Sequence, residues 1–163
     1  MKLSEKVFNN IDDCKVIIDS WKSNNKSIVF TNGCFDLIHI GHVLYLEEAK
    51  SLGDILIVGI NSDLSVGRLK GKNRPIKDQY NRSHILAALA SVELVILFEE
   101  DDPLNLITEI MPNILVKGGD WSPDQIIGSD VVISNGGSAK SLKFIDGYST
   151  TLIEQKIRNT KES

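Results

Sequence analysis

The run Ile28–Leu46, IVFTNGCFDLIHIGHVLYL, changes its hydrophobic period within a few residues, and that change constrains the fold more than any other feature of the chain. Ile28–Phe30 is a short apolar run of the kind a strand buried on both faces of a parallel sheet requires. Small and polar residues follow, and then His39, Gly41 and His42 open an amphipathic helix. In an α/β fold this handover is where phosphates bind, because free backbone N–H groups and the positive end of the helix dipole converge there.

The remaining pattern repeats the alternation. Ile55–Ile60, Leu94–Phe98 and Ile114–Val116 read as further buried strands, with helices expected near Gly41–Leu52, Gln79–Ala90 and Pro103–Met111. A helix over Asp12–Ser23 carries Val16, Ile17 and Trp21 and is expected to pack on one side of the sheet. Val131–Ser134 and Ser141–Phe144 flank Asn135-Gly136-Gly137, a turn that suits either a hairpin or a short connection from helix to strand. Thr150–Asn159 reads as a closing helix. The expectation is an α/β, doubly wound, Rossmann-like parallel sheet with right-handed crossovers. One domain spans 1–163, with 1–25 as an N-terminal helical extension and 160–163 as a polar tail.

Composition excludes several functions. A net charge of −4 argues against a general nucleic-acid binder and against attraction to anionic membranes. Met1–Asn10 holds no long apolar run, so neither a signal peptide nor a spanning helix is expected. Cys14 and Cys34 form neither a CxxC nor a disulfide scaffold, which fits a reduced, cytoplasmic setting. Cys14 is expected in the core and Cys34 as a packing residue rather than a nucleophile.

Within the turn, Gly33 permits unusual backbone geometry, and the N–H groups of Cys34 and Phe35 can face an anion. Gly41 leaves the helix start uncrowded, while His39 and His42 lie on neighbouring positions of one turn and can donate to the same phosphoryl group. Neither GxxxxGK[ST] nor GxGxxG follows any strand. The histidine pair alone also fits half of a zinc site, yet His84 is the single further histidine and no cysteine cluster completes one. Arg68, Lys70, Lys72, Arg74, Lys77 and Arg82 crowd one stretch of an acidic chain. They suggest a mobile loop over Arg68–Arg74 that grips a triphosphate, with Lys70 and Arg82 catalytic and Lys72 and Arg74 on the phosphates. Lys117-Gly118-Gly119-Asp120 follows the fourth strand at the sheet edge where ligands gather. Ser149, Thr150 and Thr151 cap the last helix, a position that also binds phosphate.

Gly33, Phe35, Asp36, His39, Gly41 and His42 together resemble the G-x-F-D-x-x-H-x-G-H segment of the HxGH nucleotidyltransferase superfamily. The likeness continues through Asn61-Ser62-Asp63, Arg68-Leu69-Lys70-Gly71, Arg74-Pro75-Ile76, Val116-Lys117-Gly118-Gly119-Asp120 and Asp146-Gly147-Tyr148-Ser149-Thr150-Thr151. That ordered set is similar to the sugar-phosphate adenylyltransferases of ADP-heptose synthesis, in a stand-alone form without the sugar kinase to which they are commonly fused. The resemblance implies transfer of AMP from ATP to D-glycero-β-D-manno-heptose 1-phosphate, with Mg²⁺ bridging phosphate oxygens and a homodimer as the assembly. It implies nucleotide contacts at Asn32, Gly33, Cys34, Phe35, Gly41 and Asn61, and base contacts from the backbone of Val116, Lys117 and Gly118. Asp120 is implied near metal or acceptor; Asp36 either meets acceptor hydroxyls or holds the loop. Ile38, Trp121 and Tyr148 depart from the common pattern, and the two aromatic residues bear on pocket shape. The alternatives are a glycerol 3-phosphate cytidylyltransferase using CTP and a nucleotide-binding module without catalysis.

Overall fold

The computed structural model describes residues 1–143 and 147–160; Phe144, Ile145 and Asp146, and with them the end of the last expected strand and the first residue of the Asp146–Thr151 motif, lie outside it, as do 161–163. Among the described residues six strands form one parallel sheet: β1 (Val7–Phe8), β2 (Ile28–Gly33), β3 (Ile55–Asn61), β4 (Leu94–Phe98), β5 (Ile114–Gly118) and β6 (Ser138–Leu142). Their order is β1-β4-β3-β2-β5-β6. The helices are α1 (Lys15–Ser23), α2 (Ile40–Ser51), α3 (Asp63–Lys70), α4 (Gln79–Ala87), α5 (Leu104–Ile110), α6 (Ser129–Ser134) and α7 (Thr150–Thr160).

The central strands are apolar on both faces, so each face needs its own helical cover. On one side Phe30, Ile57, Ile96 and Leu115 pack with Ile18 of α1, Ile107 of α5 and Val132 of α6. On the other, Leu56, Val58, Ile60 and Val116 meet Leu46 of α2 and Leu86 of α4. The doubly wound architecture is the expected one. Strand order reverses at β2, which pairs with β3 on one side and β5 on the other. This switch point opens a crevice at the carboxyl ends of β2 and β5, where such sheets bind ligands.

Two sequence expectations change, and a third is decided between its two alternatives. Residues 1–25 are not an added extension: β1 pairs with β4, and Lys6 Nζ donates to the carbonyls of Ala87 and Val92 at 3.2 and 2.7 Å. The segment around Asn135 is a helix-to-strand connection, because Ser138 continues the parallel sheet beside Ile114 rather than folding back as a hairpin. The expected basic loop begins as helix α3, started by the Ser62 hydroxyl, which accepts from Ser65 N at 3.2 Å. Among the described residues no helix is long and apolar enough to cross a membrane.

Candidate active site

At the switch point a cleft of about 170 Å³ is lined by Asn32 and Gly33 at the end of β2, by Cys34, Phe35 and Asp36 of the β2–α2 turn, by His42 and Tyr45 of α2, and by Lys70, Lys117, Gly118 and Thr150. Residues from four separate stretches thus meet at one sheet edge. Phe35 takes a left-handed backbone conformation, φ 48°, which turns its ring edge-on to His42 with centroids 5.3 Å apart. Tyr45 forms the floor, its hydroxyl bonded to Thr31 Oγ1 at 2.6 Å, and burial pushes its pKa up to about 12.

The two histidine rings stack with centroids 3.9 Å apart. The backbone N–H of His39 donates to His42 Nδ1 at 3.4 Å, which leaves the proton of a neutral ring on Nε2. Burial, then the nearby charges of His39 and Lys70, lower the pKa of His42 to about 4, so the ring is neutral at pH 7. His39 lies behind it: burial lowers its pKa, and its Nδ1 is buried without a hydrogen-bond partner. A Cβ at Gly41 would stand 3.0 Å from the His39 ring and 3.3 Å from Tyr148 Cβ. Glycine is therefore what lets these groups close over the helix start.

The cations divide. Lys70, at the end of α3, and Lys117, at the end of β5, both reach the cleft. Burial lowers the pKa of Lys117, the proximity of Cys34 opposing it. Arg82 does not reach it. It is 0% exposed and donates to the carbonyls of Cys34, Asn61 and Lys77 and to the Asp63 carboxylate, at 2.6–3.0 Å. Its expected contact with a departing phosphate is replaced by a tie between the ends of β2 and β3, whose carbonyls would otherwise lack donors. Arg74 pairs with Asp36 at 2.9 Å and with Glu154 of α7. Lys72 is exposed and outside the cleft lining, and Arg68 is held by Asp101 at 2.8 Å.

Asp36 is the carboxylate of the cleft lining. It accepts from Ile76 N, Lys77 N and Arg74, each at 2.9 Å. Burial alone would raise its pKa, but these donors hold it below the usual carboxylate value. Asp36 is thus engaged in holding the loop. Asp120 is exposed and outside the lining. Among the described residues no three His, Cys, Asp or Glu side chains converge as metal ligands. These residues do not fit a protein-held Mg²⁺, whose octahedral shell wants several free oxygens.

Around the cleft, Asn61 holds Ser65 Oγ at 3.0 Å and receives the Cys34 thiol at 3.7 Å, while Ser149 Oγ accepts from Leu152 N at 3.1 Å. Thr150 lines the cleft, whereas Gly41, Ser149 and the exposed Thr151 lie outside its lining. A second pocket, about 340 Å³, adjoins the first and shares Asn32 and Lys117 with it. Its other walls are Pro103, Leu115, Val116, Trp121, Gln125, Ile126 and Ile127. Gly119 adopts φ +128°, and a Cβ there would fall 2.6 Å from Trp121 Nε1. This close approach lets the indole bend back to donate to Gly118 O at 3.1 Å. Sequence reading singled out Trp121 but not Gln125, Ile126 or Ile127, which come from a segment without helix or strand periodicity.

The cytidylyltransferase-like family matches residues 30–156. The bifunctional protein HldE of Geobacter metallireducens is 53% identical over 154 residues, 94% of this chain and 31% of that protein. HldE of Pseudomonas fluorescens is 49% identical over 158 residues, 97% of this chain and 33% of that protein. The chain spans about a third of the length of these curated relatives. The crystal structure of the lipopolysaccharide core biosynthesis protein from Thermoplasma volcanium is similar with a TM-score of 0.58 and 29% identity, over 76% of this chain and 99% of that one. The pantoate-beta-alanine ligase of Francisella tularensis shares the fold at 16% identity, with a TM-score of 0.62 over 94% of this chain and 77% of that one.

Proposed function

The chain belongs to the cytidylyltransferase-like family, and on that premise we propose that it transfers AMP from ATP to a sugar 1-phosphate, D-glycero-β-D-manno-heptose 1-phosphate, releasing pyrophosphate. The observation that carries this reading is the pair of adjoining cavities: an apolar pocket of about 340 Å³ beside a cleft offering His42, Lys70, Lys117 and the start of α7. A nucleoside triphosphate asks for that pairing, an apolar slot for the base and convergent donors for the phosphates. The sugar class draws on the likeness to HldE and to the lipopolysaccharide core biosynthesis protein.

In this reading an oxygen of the sugar phosphate attacks the α-phosphorus of ATP in line. One P–O bond forms, the bond bridging α- and β-phosphorus breaks, and pyrophosphate leaves with the electron pair. A sugar phosphate is already ionised at neutral pH, so no strong base is required. The protein supplies position and preorganised donors. Neutral His42 donates from Nε2 to a phosphate oxygen, His39 backs it, and Lys70 and Lys117 balance charge on the phosphates. Thr150 adds the N-terminal turn of α7, and Val116 with Trp121 walls the base. A divalent cation such as Mg²⁺ would be held by the phosphates of the nucleotide rather than by carboxylates of the protein, and would screen their charge. A cytoplasmic location and a homodimer accompany the reading.

The test is a pyrophosphate-release assay across ATP and CTP, with heptose 1-phosphate and glycerol 3-phosphate as acceptors. Release with ATP and heptose 1-phosphate is expected. Release confined to CTP with glycerol 3-phosphate would replace this reading by a cytidylyltransferase. Nucleotide binding with no release in any combination would leave a binding module.

A further inference from the structure

Helix α7 brings Thr150 to the cleft, yet none of its residues is buried. Apolar packing therefore holds it only in part. Between α7 and the 71–77 loop lies a hollow of about 340 Å³ lined by Leu37, Asn73, Arg74, Ile76, Glu154 and Ile157, among others. The ion pair of Glu154 with Arg74 crosses this hollow. Arg74 continues to Asp36, which in turn holds the backbone N–H groups of Ile76 and Lys77. One guanidinium therefore joins three segments far apart in sequence: the β2–α2 turn, the 71–77 loop and α7. Side-chain exposures of 3% for Asp36, 20% for Arg74 and 24% for Glu154 set this chain apart from the exposed pair of Lys15 and Glu109, at 47% and 48%. The planar fork of arginine can serve two carboxylates at once, which an ammonium does poorly.

We propose that Glu154 is a positioning residue for nucleotide binding: through Arg74 it seats α7 so that the Thr150 turn faces the phosphates. The proposal rests on the nucleotidyltransferase reading and reassigns Arg74 from phosphate ligand to the seat of the helix. The two roles predict opposite signs. If Arg74 were a phosphate ligand sequestered by Glu154, neutralising Glu154 would free it and tighten nucleotide binding. If Arg74 is the seat, the same change loosens α7 and weakens binding.

Glu154→Gln keeps the shape of the side chain and removes its charge. The expected result is a rise of about fivefold in the KM for ATP with kcat within twofold, the upper end of what a partly exposed ion pair supplies. Arg74→Lys should raise KM by a similar factor, and the double variant should add less than twofold to either single change, since both break one link. Amide hydrogen exchange over 151–158 should quicken about fivefold in Glu154→Gln. A KM that falls or moves less than twofold, or fully additive variants, overturns the proposal. Should the wild-type protein release no pyrophosphate, the nucleotidyltransferase reading fails separately. The exchange arm then decides: faster exchange in Glu154→Gln keeps the seat, and unchanged exchange removes it.

Discussion

Arg82 and His42 both meet the β2–α2 turn, at Cys34 and Phe35, but answer to different physics. Arg82 is fully buried, with carbonyls and a carboxylate on its donors, so removing it strands the carbonyls of Cys34, Asn61 and Lys77. Leaving such acceptors without donors costs about 1–3 kcal/mol apiece, while Asp63, with 36% of its side chain exposed, can turn to water. Arg82→Met should therefore lower Tm by on the order of 10 °C, read by thermal unfolding. A catalytic Arg82 would instead lose turnover with Tm unchanged. His42→Ala should keep the fold and lower turnover by roughly 10²–10³, the loss on removing one preorganised donor; a folded variant with near wild-type turnover would remove His42 from the mechanism. Protonation supplies another test. The pKa of His42 falls from 6.5 in the open chain to about 4 in the fold, so below 6.5 the unfolded state binds the proton first. Its contribution to stability is complete above pH 6.5, declines as pH falls towards 4, and is gone below that. His39 shifts in the same direction and adds to the slope. Urea midpoints measured over this window should decline, and His42→Asn should flatten the decline.

At the scale of elements, the start of α2 is the most demanding junction, because His39, Gly41 and Tyr148 share space that a methyl group would invade. Gly41→Ala should displace the His39 ring and lower kcat/KM by about 10–100-fold, while circular dichroism reports a largely unchanged melt. The central strands and α2 were legible because burial on both faces and the change of period leave direct marks. Helix α3 was not: Gly67 lies mid-helix and the basic residues suggest a loop, although Ser62 at its start and Gly71 at its end carried the signals. Strand β1 escaped because two residues hold no period, and its place comes from pairing with β4. The roles of Arg74 and Arg82 were illegible for a related reason. Charge says that a side chain can meet a phosphate; only the fold shows that carboxylates and carbonyls reached it first.

For the whole molecule, one sheet with an apolar core on each face leaves no boundary at which half could unfold alone. Near- and far-ultraviolet circular dichroism should therefore trace a single coincident transition; separated transitions would mark a divisible fold. The reversal of strand order fixes where ligands gather, and the carboxylate lining the cleft there, Asp36, is occupied with the protein's own N–H groups and Arg74. Chelation by EDTA should accordingly abolish pyrophosphate release and leave Tm unchanged, with Mg²⁺ restoring activity; a fall in Tm on chelation would reveal a metal held by the protein itself. The bent-back indole of Trp121 carries a practical consequence. The chain has two tryptophans; Trp21 packs against the core on the α1 face, while Trp121 is 46% exposed and borders the apolar pocket. A ring entering that pocket changes the solvent around one fluorophore and leaves the other as a steady background, so occupancy becomes visible as light emitted by the protein itself, without a label.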